Sequence, residues 1–131
     1  MKIIRLKKGD LIIEKLTTLV NKEGSAGVFW GIGALEWAKL KHYNLKTKKY
    51  SDIRIGGPLE IVNLTGVIAR NPDKKFGLHA HATVADQEFK TYGGHLEEAQ
   101  VAATLEIVYL LSDQDISRYF DRQIGLNLLK T

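Results

Sequence analysis

Three of the four histidines lie between positions 79 and 95, as His79-Ala80-His81 and, past Phe89-Lys90-Thr91-Tyr92, as Gly93-Gly94-His95. Leu78, Ala80, Ala82 and Val84 around the first pair read as a strand, whose successive side chains point to opposite faces. His79 and His81 then share a face, roughly 6.5–7 Å apart along the strand. That spacing lets both imidazoles lean toward one cation bound at about 2.0–2.1 Å from each nitrogen. His95 follows two glycines, whose missing Cβ atoms let the backbone turn sharply and bring in a third imidazole. Three neutral imidazoles suit zinc or a neighbouring divalent transition metal, and leave a position for water or substrate. A single strand histidine is more often a hydrogen-bonded surface or core group; the pair with a third partner turns the reading toward a metal. His42, among Lys39, Lys41 and Tyr43, reads as a solvent-facing strand residue.

Two carboxylates could serve such a site. Glu60 shares a strand face with Val62 and Leu64, and Glu106 stands between Leu105 and Ile107. A carboxylate in apolar company needs a cation or hydrogen-bond donors to stay ionised. Either could orient a metal-bound histidine or supply a fourth ligand. The alternative is a structural role, accepting bonds from backbone or arginine at a sheet edge or subunit contact. Other chemistry is thin. The chain has no cysteine, so a metal must use nitrogen and oxygen ligands. Ser25, Ser51, Ser112 and Ser117 lack a nucleophile-elbow context, and neither Gly31-Ile32-Gly33 nor Gly56-Gly57 leads into a phosphate loop.

The elements that must position these groups read as one domain over residues 1–131, a length at which folding buries about two-thirds of the chain's surface. Lys2–Leu6 is an opening strand. Asp10 is a candidate N-cap for a helix whose apolar residues are Leu11, Ile12, Leu16, Leu19 and Val20, ending over Asn21–Gly24. Ser25–Ile32 reads as a buried strand in which Gly27, Gly31 and Gly33 admit something close to the backbone. Ala34–Tyr50 is strand-like with a turn near Asn44–Thr47. Leu59–Arg70 and Gly77–Val84 form a second pair joined through Asn71-Pro72-Asp73-Lys74. Val101–Leu111 is a central strand by its β-branched content, against the competing helix that Ala102, Ala103 and Leu105 would favour. Asp113–Phe120 is expected as a short helix and Ile124–Leu129 as a closing strand. The sum is an α+β (α/β) chain with a mostly antiparallel sheet and few helices.

Hydrophobic residues at 44% and charged residues at 26% match an ordinary soluble globular protein. No apolar run is long enough for a helical membrane span, and the N-terminus lacks a signal peptide's apolar core. With the absence of disulfides, this places the expected location in the cytoplasm. The +4 net charge and clustered Lys2, Arg5, Lys7 and Lys8, then Lys39, Lys41, Lys46, Lys48 and Lys49, would attract polyanions weakly and nonspecifically. Aromatics, at 8%, do not alternate with basic residues as a nucleic-acid stacking platform would.

Taken in order, Arg5 with Gly9-Asp10, Gly31-Ile32-Gly33-Ala34-Leu35, Glu60 with Gly66, His79-Ala80-His81, Gly93-Gly94-His95-Leu96 and Glu106 resemble the plant- and prokaryote-conserved (PPC) domain. The likeness runs from about Ile3 to Leu111. The paired H-x-H and G-G-H-L elements are its specific part, and Asp10 stands where glutamate is the usual residue. The resemblance implies a compact domain with an antiparallel sheet, a homotrimer and a metal site at the three histidines. A broader likeness to acetolactate decarboxylases, which hold zinc on a similar set of histidines, concerns fold and site and transfers no activity. Plant members are regarded as DNA-binding, but there an Arg-Gly-Arg-Pro core carries minor-groove recognition, and this chain has no Arg-Gly-Arg.

Three functions remain in play. The first is a cytoplasmic homotrimer binding a divalent metal, zinc before others, through His79, His81 and His95. The second is a zinc-dependent hydrolase- or lyase-like enzyme, with Glu60 or Glu106 moving protons. The third is a DNA-binding or regulatory module without an AT-hook, whose histidines are structural.

Overall fold

The computed structural model describes residues 1–130. A strand β1 (Lys2–Lys7) leads through a turn into helix α1 (Ile12–Glu23). Four long strands follow: β2 (Gly27–Asn44), β3 (Lys49–Arg70), β4 (Phe76–Ala85) and β5 (Thr91–Leu111). A hairpin of β6 (Arg118–Asp121) and β7 (Leu126–Leu129) ends the described chain. The main sheet has the order β1-β5-β2-β3-β4, every pairing antiparallel. The start of β5 also pairs with the end of β4, so β2, β3, β4 and β5 close on themselves at that end. This bears out a mostly antiparallel sheet with one helix.

Alternation along the strands decides which side becomes the core. Phe29, Leu35, Leu64, Ile68, Ala80, Ala82, Val84, Leu105, Ile107 and Tyr109 are buried on the inner face, where α1 adds Ile12, Leu16 and Val20 at four-residue spacing. Irregular register between Gly31 and Ala34 and between Leu35 and Trp37 bends β2, so that Leu35, Ala38 and Leu40 still point inward. Gly33 shows why the glycines of β2 are there. A Cβ on it would lie 2.3 Å from the Thr104 carbonyl oxygen of β5.

Several sequence expectations change. Ser25–Ile32 is not a separate buried strand: β2 runs unbroken, and Val28, Trp30 and Ile32 face outward from this chain. Asp113–Phe120 is not helical. The Arg70 N–H donates to the Ile116 carbonyl and Arg70 bridges Ser117, which holds the segment extended into β6 with its β-favouring Tyr119 and Phe120. The Ile124–Leu129 strand exists as β7, but it pairs with β6 alone and does not close the main sheet.

Asp10 does not cap α1. Its Oδ2 accepts from the Lys7 N–H at 2.9 Å within the preceding turn, and Leu11 holds the cap position without a side-chain bond. The cap comes from β5. Glu98 accepts from the N–H of Ile13 at 2.8 Å and of Glu14 at 3.1 Å, meeting two of the helix's unpaired donors with a negative charge at its positive end. At the other end Gly24, at φ 70°, donates to Val20. Replacing Glu98 by alanine is expected to lower stability by about 1–2 kcal/mol in urea unfolding. The glutamine variant should recover part of that, because its amide oxygen still accepts. An unchanged midpoint in both variants would mean that water caps the helix equally well.

Candidate metal centre

The outer face at the β4–β5 seam carries the three histidines. On β4, Ala80 and Ala82 are buried, so His79 and His81, at the alternate positions, project outward. On β5, Leu96 is buried and His95 takes the opposite face. The register sets His81 directly across from His95, the arrangement in which antiparallel side chains meet most closely. Ring centroids lie 5.1 Å apart for His79–His81, 5.3 Å for His79–His95 and 5.7 Å for His81–His95. One nitrogen from each ring lies within 4.8 Å of the others.

Gly93 and Gly94 serve this geometry differently from the turn expected. Both lie inside β5. A Cβ on Gly94 would come 2.9 Å from the Lys41 carbonyl oxygen, so glycine lets β2 and β5 approach beside His95.

Burial holds His79 below the ordinary imidazole range, with the charges of His81 and then Arg118 adding to it. Burial likewise lowers His95, followed by His79, His81 and Lys41, while Glu97 opposes. Both effects favour the neutral imidazole, the form that ligates. Glu97 is held by Lys41 Nζ at 2.8 Å and by Lys39 Nζ as an ion pair at 3.1 Å. Tyr50 stacks beside the cluster, 6.0 Å from His95 between ring centroids.

Glu60 and Glu106 are not brought to the histidines within this chain. Glu60 is exposed opposite Ala34 and Ala85, five positions along β3 from the residue facing His81, roughly 17 Å at about 3.4 Å per residue. Glu106 is exposed opposite Arg5 and Ile32, far along β5 from His95. The three-residue cluster contains no acid. His42 is an exposed residue of β2, as expected.

Sequence reading missed two neighbours of the cluster, Tyr50 and Arg118. Both line a cavity with His79 and His95. Arg118 comes from β6, a segment expected to be helical, and no local pattern ties it to residues some forty positions earlier.

The lowered imidazoles fix a sign. In metal-free protein the unfolded chain takes up protons first, so this contribution to stability is full above pH 6.5 and declines as pH falls through the folded-state values. An NMR titration of the ring protons with a chelator present should place His79 and His95 below 6.5. Midpoints at or above that value would show the rings to be better hydrated than this geometry allows.

The chain matches the model of the Plants and Prokaryotes Conserved (PCC) domain over residues 1–112. It is similar to the metal-containing protein of Archaeoglobus fulgidus, at 30% identity and a TM-score of 0.89, covering 99% of this chain and 92% of that one. It is also similar to a provisionally named DNA-binding protein of Bacteroides thetaiotaomicron, at 31% identity and a TM-score of 0.93, over 98% and 90% of the two chains. The α-acetolactate decarboxylase of Bacillus subtilis shares the fold alone, at 10% identity and a TM-score of 0.62, over 89% of this chain and 54% of that one. None of the curated proteins matches. With the family pattern spanning nearly all of the sheet and all three histidines, the chain belongs to the Plants and Prokaryotes Conserved domain family.

Proposed function

We propose that this protein binds one divalent transition metal per chain through His79, His81 and His95, with zinc the best match to the donor set. The carrying observation is the convergence of three outward imidazoles from two paired strands, with nitrogens within 4.8 Å of one another. Neutral nitrogen donors suit zinc and its neighbours rather than magnesium or calcium. A bound ion would supply a Lewis acid or an acidified water. The chain's own part is to aim the three rings at one point and, at His79 and His95, to favour the neutral form that ligates. Binding stands ahead of a hydrolase- or lyase-like reading, because Glu60 and Glu106 lie far from the cluster in this chain and Glu97 is engaged by two lysines. The DNA-associated reading has less support. Lys2, Lys15, Lys39 and Lys41 are ion-paired, so the remaining basic residues offer only weak, salt-sensitive contact with phosphates.

Protein incubated with zinc should then carry about one ion per chain by elemental analysis. His81→Ala should weaken binding by at least about 100-fold, more than the roughly 10–100-fold typical of losing an outer partner. Wild-type protein that stays metal-free after zinc, nickel and cobalt at neutral pH would overturn the reading.

The assembly we propose is a homotrimer in the cytoplasm. Ile3, Val28, Trp30, Ile32 and Leu110 form an outward apolar face across β1, β5 and β2, with Trp30 42% and Ile32 62% exposed. Such a face on a single chain is a natural contact for further copies. Among the described residues no helix is long and apolar enough to cross a membrane. The cysteine-free composition suits a reducing compartment. Light scattering should report three chains across a tenfold dilution, and Trp30→Glu should lower the mass while leaving the circular dichroism unchanged. A wild-type monomer or dimer would remove the trimer.

A further inference from the structure

A cavity of about 340 Å³ opens beside the histidines, walled by Tyr50, His79, His95, Asn127 and Arg118, with leucines of β4 and β7 completing it. Arg118 carries its fixed positive charge into this wall in an unusual way. Its Nη1 donates to Asn71 Oδ1 and the Gly77 carbonyl, each at 3.3 Å, and its Nη2 to the Val67 carbonyl at 3.2 Å. All three acceptors are neutral. These bonds leave at least two of the five N–H donors of a guanidinium without a partner among the described residues. Among the described residues no carboxylate lines the cavity. Arg70, by contrast, pairs with Asp115, and Lys39 and Lys41 share Glu97, while the basic residues without an ion pair are mostly exposed to water. A partly buried guanidinium held in place by neutral carbonyls, with no carboxylate partner among the described residues, is a costly arrangement that an incoming anion would relieve.

We propose that this cavity binds a small organic acid, with its carboxylate on Arg118 and its remaining oxygen functions toward the histidine cluster. The inference rests on the metal reading for the second contact and on Arg118 alone for the first. The planar guanidinium matches a carboxylate through parallel bonds. The volume lies at the low end for small-molecule sites and readily admits a small organic acid. Leu78 and Leu128 give it an apolar wall, which a carbon skeleton uses and inorganic phosphate does not. Tyr50 and Asn127 add polar groups that could orient a hydroxyl or carbonyl.

Cobalt-loaded protein titrated with glycolate, followed by visible absorption and calorimetry, tests this, with the metal content of each sample measured separately. Saturable binding is expected, weaker by at least tenfold for uncharged glycolamide and for Arg118→Gln at unchanged cobalt content. The glycolate–glycolamide comparison uses wild-type protein, so it stands even if Arg118→Gln loosens the β6–β7 hairpin. Bound cobalt with no response to glycolate, or equal binding of the two ligands, would overturn the anion site and leave the metal reading intact. Glycolate inert while inorganic phosphate binds would overturn the organic acid. If no cobalt binds, the metal reading fails, and calorimetry on metal-free protein decides the rest: Arg118-dependent glycolate binding sustains the anion site, and its absence overturns it.

Discussion

The antiparallel register of β5 is the constraint on which the rest of the molecule depends. This one strand pairs with β2 over most of its length, with β1 towards its end and with β4 at its start. A slip of one residue would turn His95 into the core and Leu96 to solvent, because the side-chain period is two. It would also carry Glu98 away from the N–H groups of Ile13 and Glu14. Helix cap, core face and histidine cluster are thus three readouts of one alignment. The close approach at Gly33 and Gly94, where a side chain would strike the backbone of a neighbouring strand, helps to hold it.

The same register explains where the cluster lies on the outer surface. Ile3 faces Val108, Val108 faces Trp30, Trp30 faces Thr65, Thr65 faces His81, and His81 faces His95. A neighbouring row runs from Leu110 through Val28 and Val67 to His79. The imidazoles are therefore the polar end of an apolar face. In the proposed trimer, covering that face would draw water away from the border of the cluster, and the burial that already keeps His79 and His95 neutral would deepen. Assembly and metal affinity would then be coupled through hydration, without any movement of the strands.

What the sequence made legible was local and periodic. Parity alone put His79 and His81 on one face, and four-residue spacing found the buried stripe Ile12, Leu16 and Val20. The turn at Asn71–Lys74 followed from residue types whose backbone preferences are strong. What escaped depends on pairing between distant segments. Glu98 caps a helix more than eighty positions earlier, and nothing in Leu96-Glu97-Glu98-Ala99 announces it. Glu60 and Glu106 looked unusual only because their chain neighbours are apolar. The sheet gives each an exposed place among other outward residues, where an ionised carboxylate needs no metal. Asp113–Phe120 was misread for the same reason, since a bridge to Arg70 overrides its short-range preferences.

Charge shows the same limit. The net +4 suggested polyanions, yet it averages over lysines that are hydrated or matched with Glu23, Asp52 and Glu97. A matched surface ion pair contributes little to recognition, because water and salt screen it. Arg118 differs in kind. Its guanidinium is fixed by three neutral acceptors from β3, β4 and the turn between them, in a wall with no acid among the described residues and beside imidazoles whose protonation burial disfavours. Fixed, partly dehydrated and uncompensated charge acts over short distances with far less screening. The local positive potential at this one cavity, and not the overall basicity, is therefore the electrostatic property best able to select a ligand.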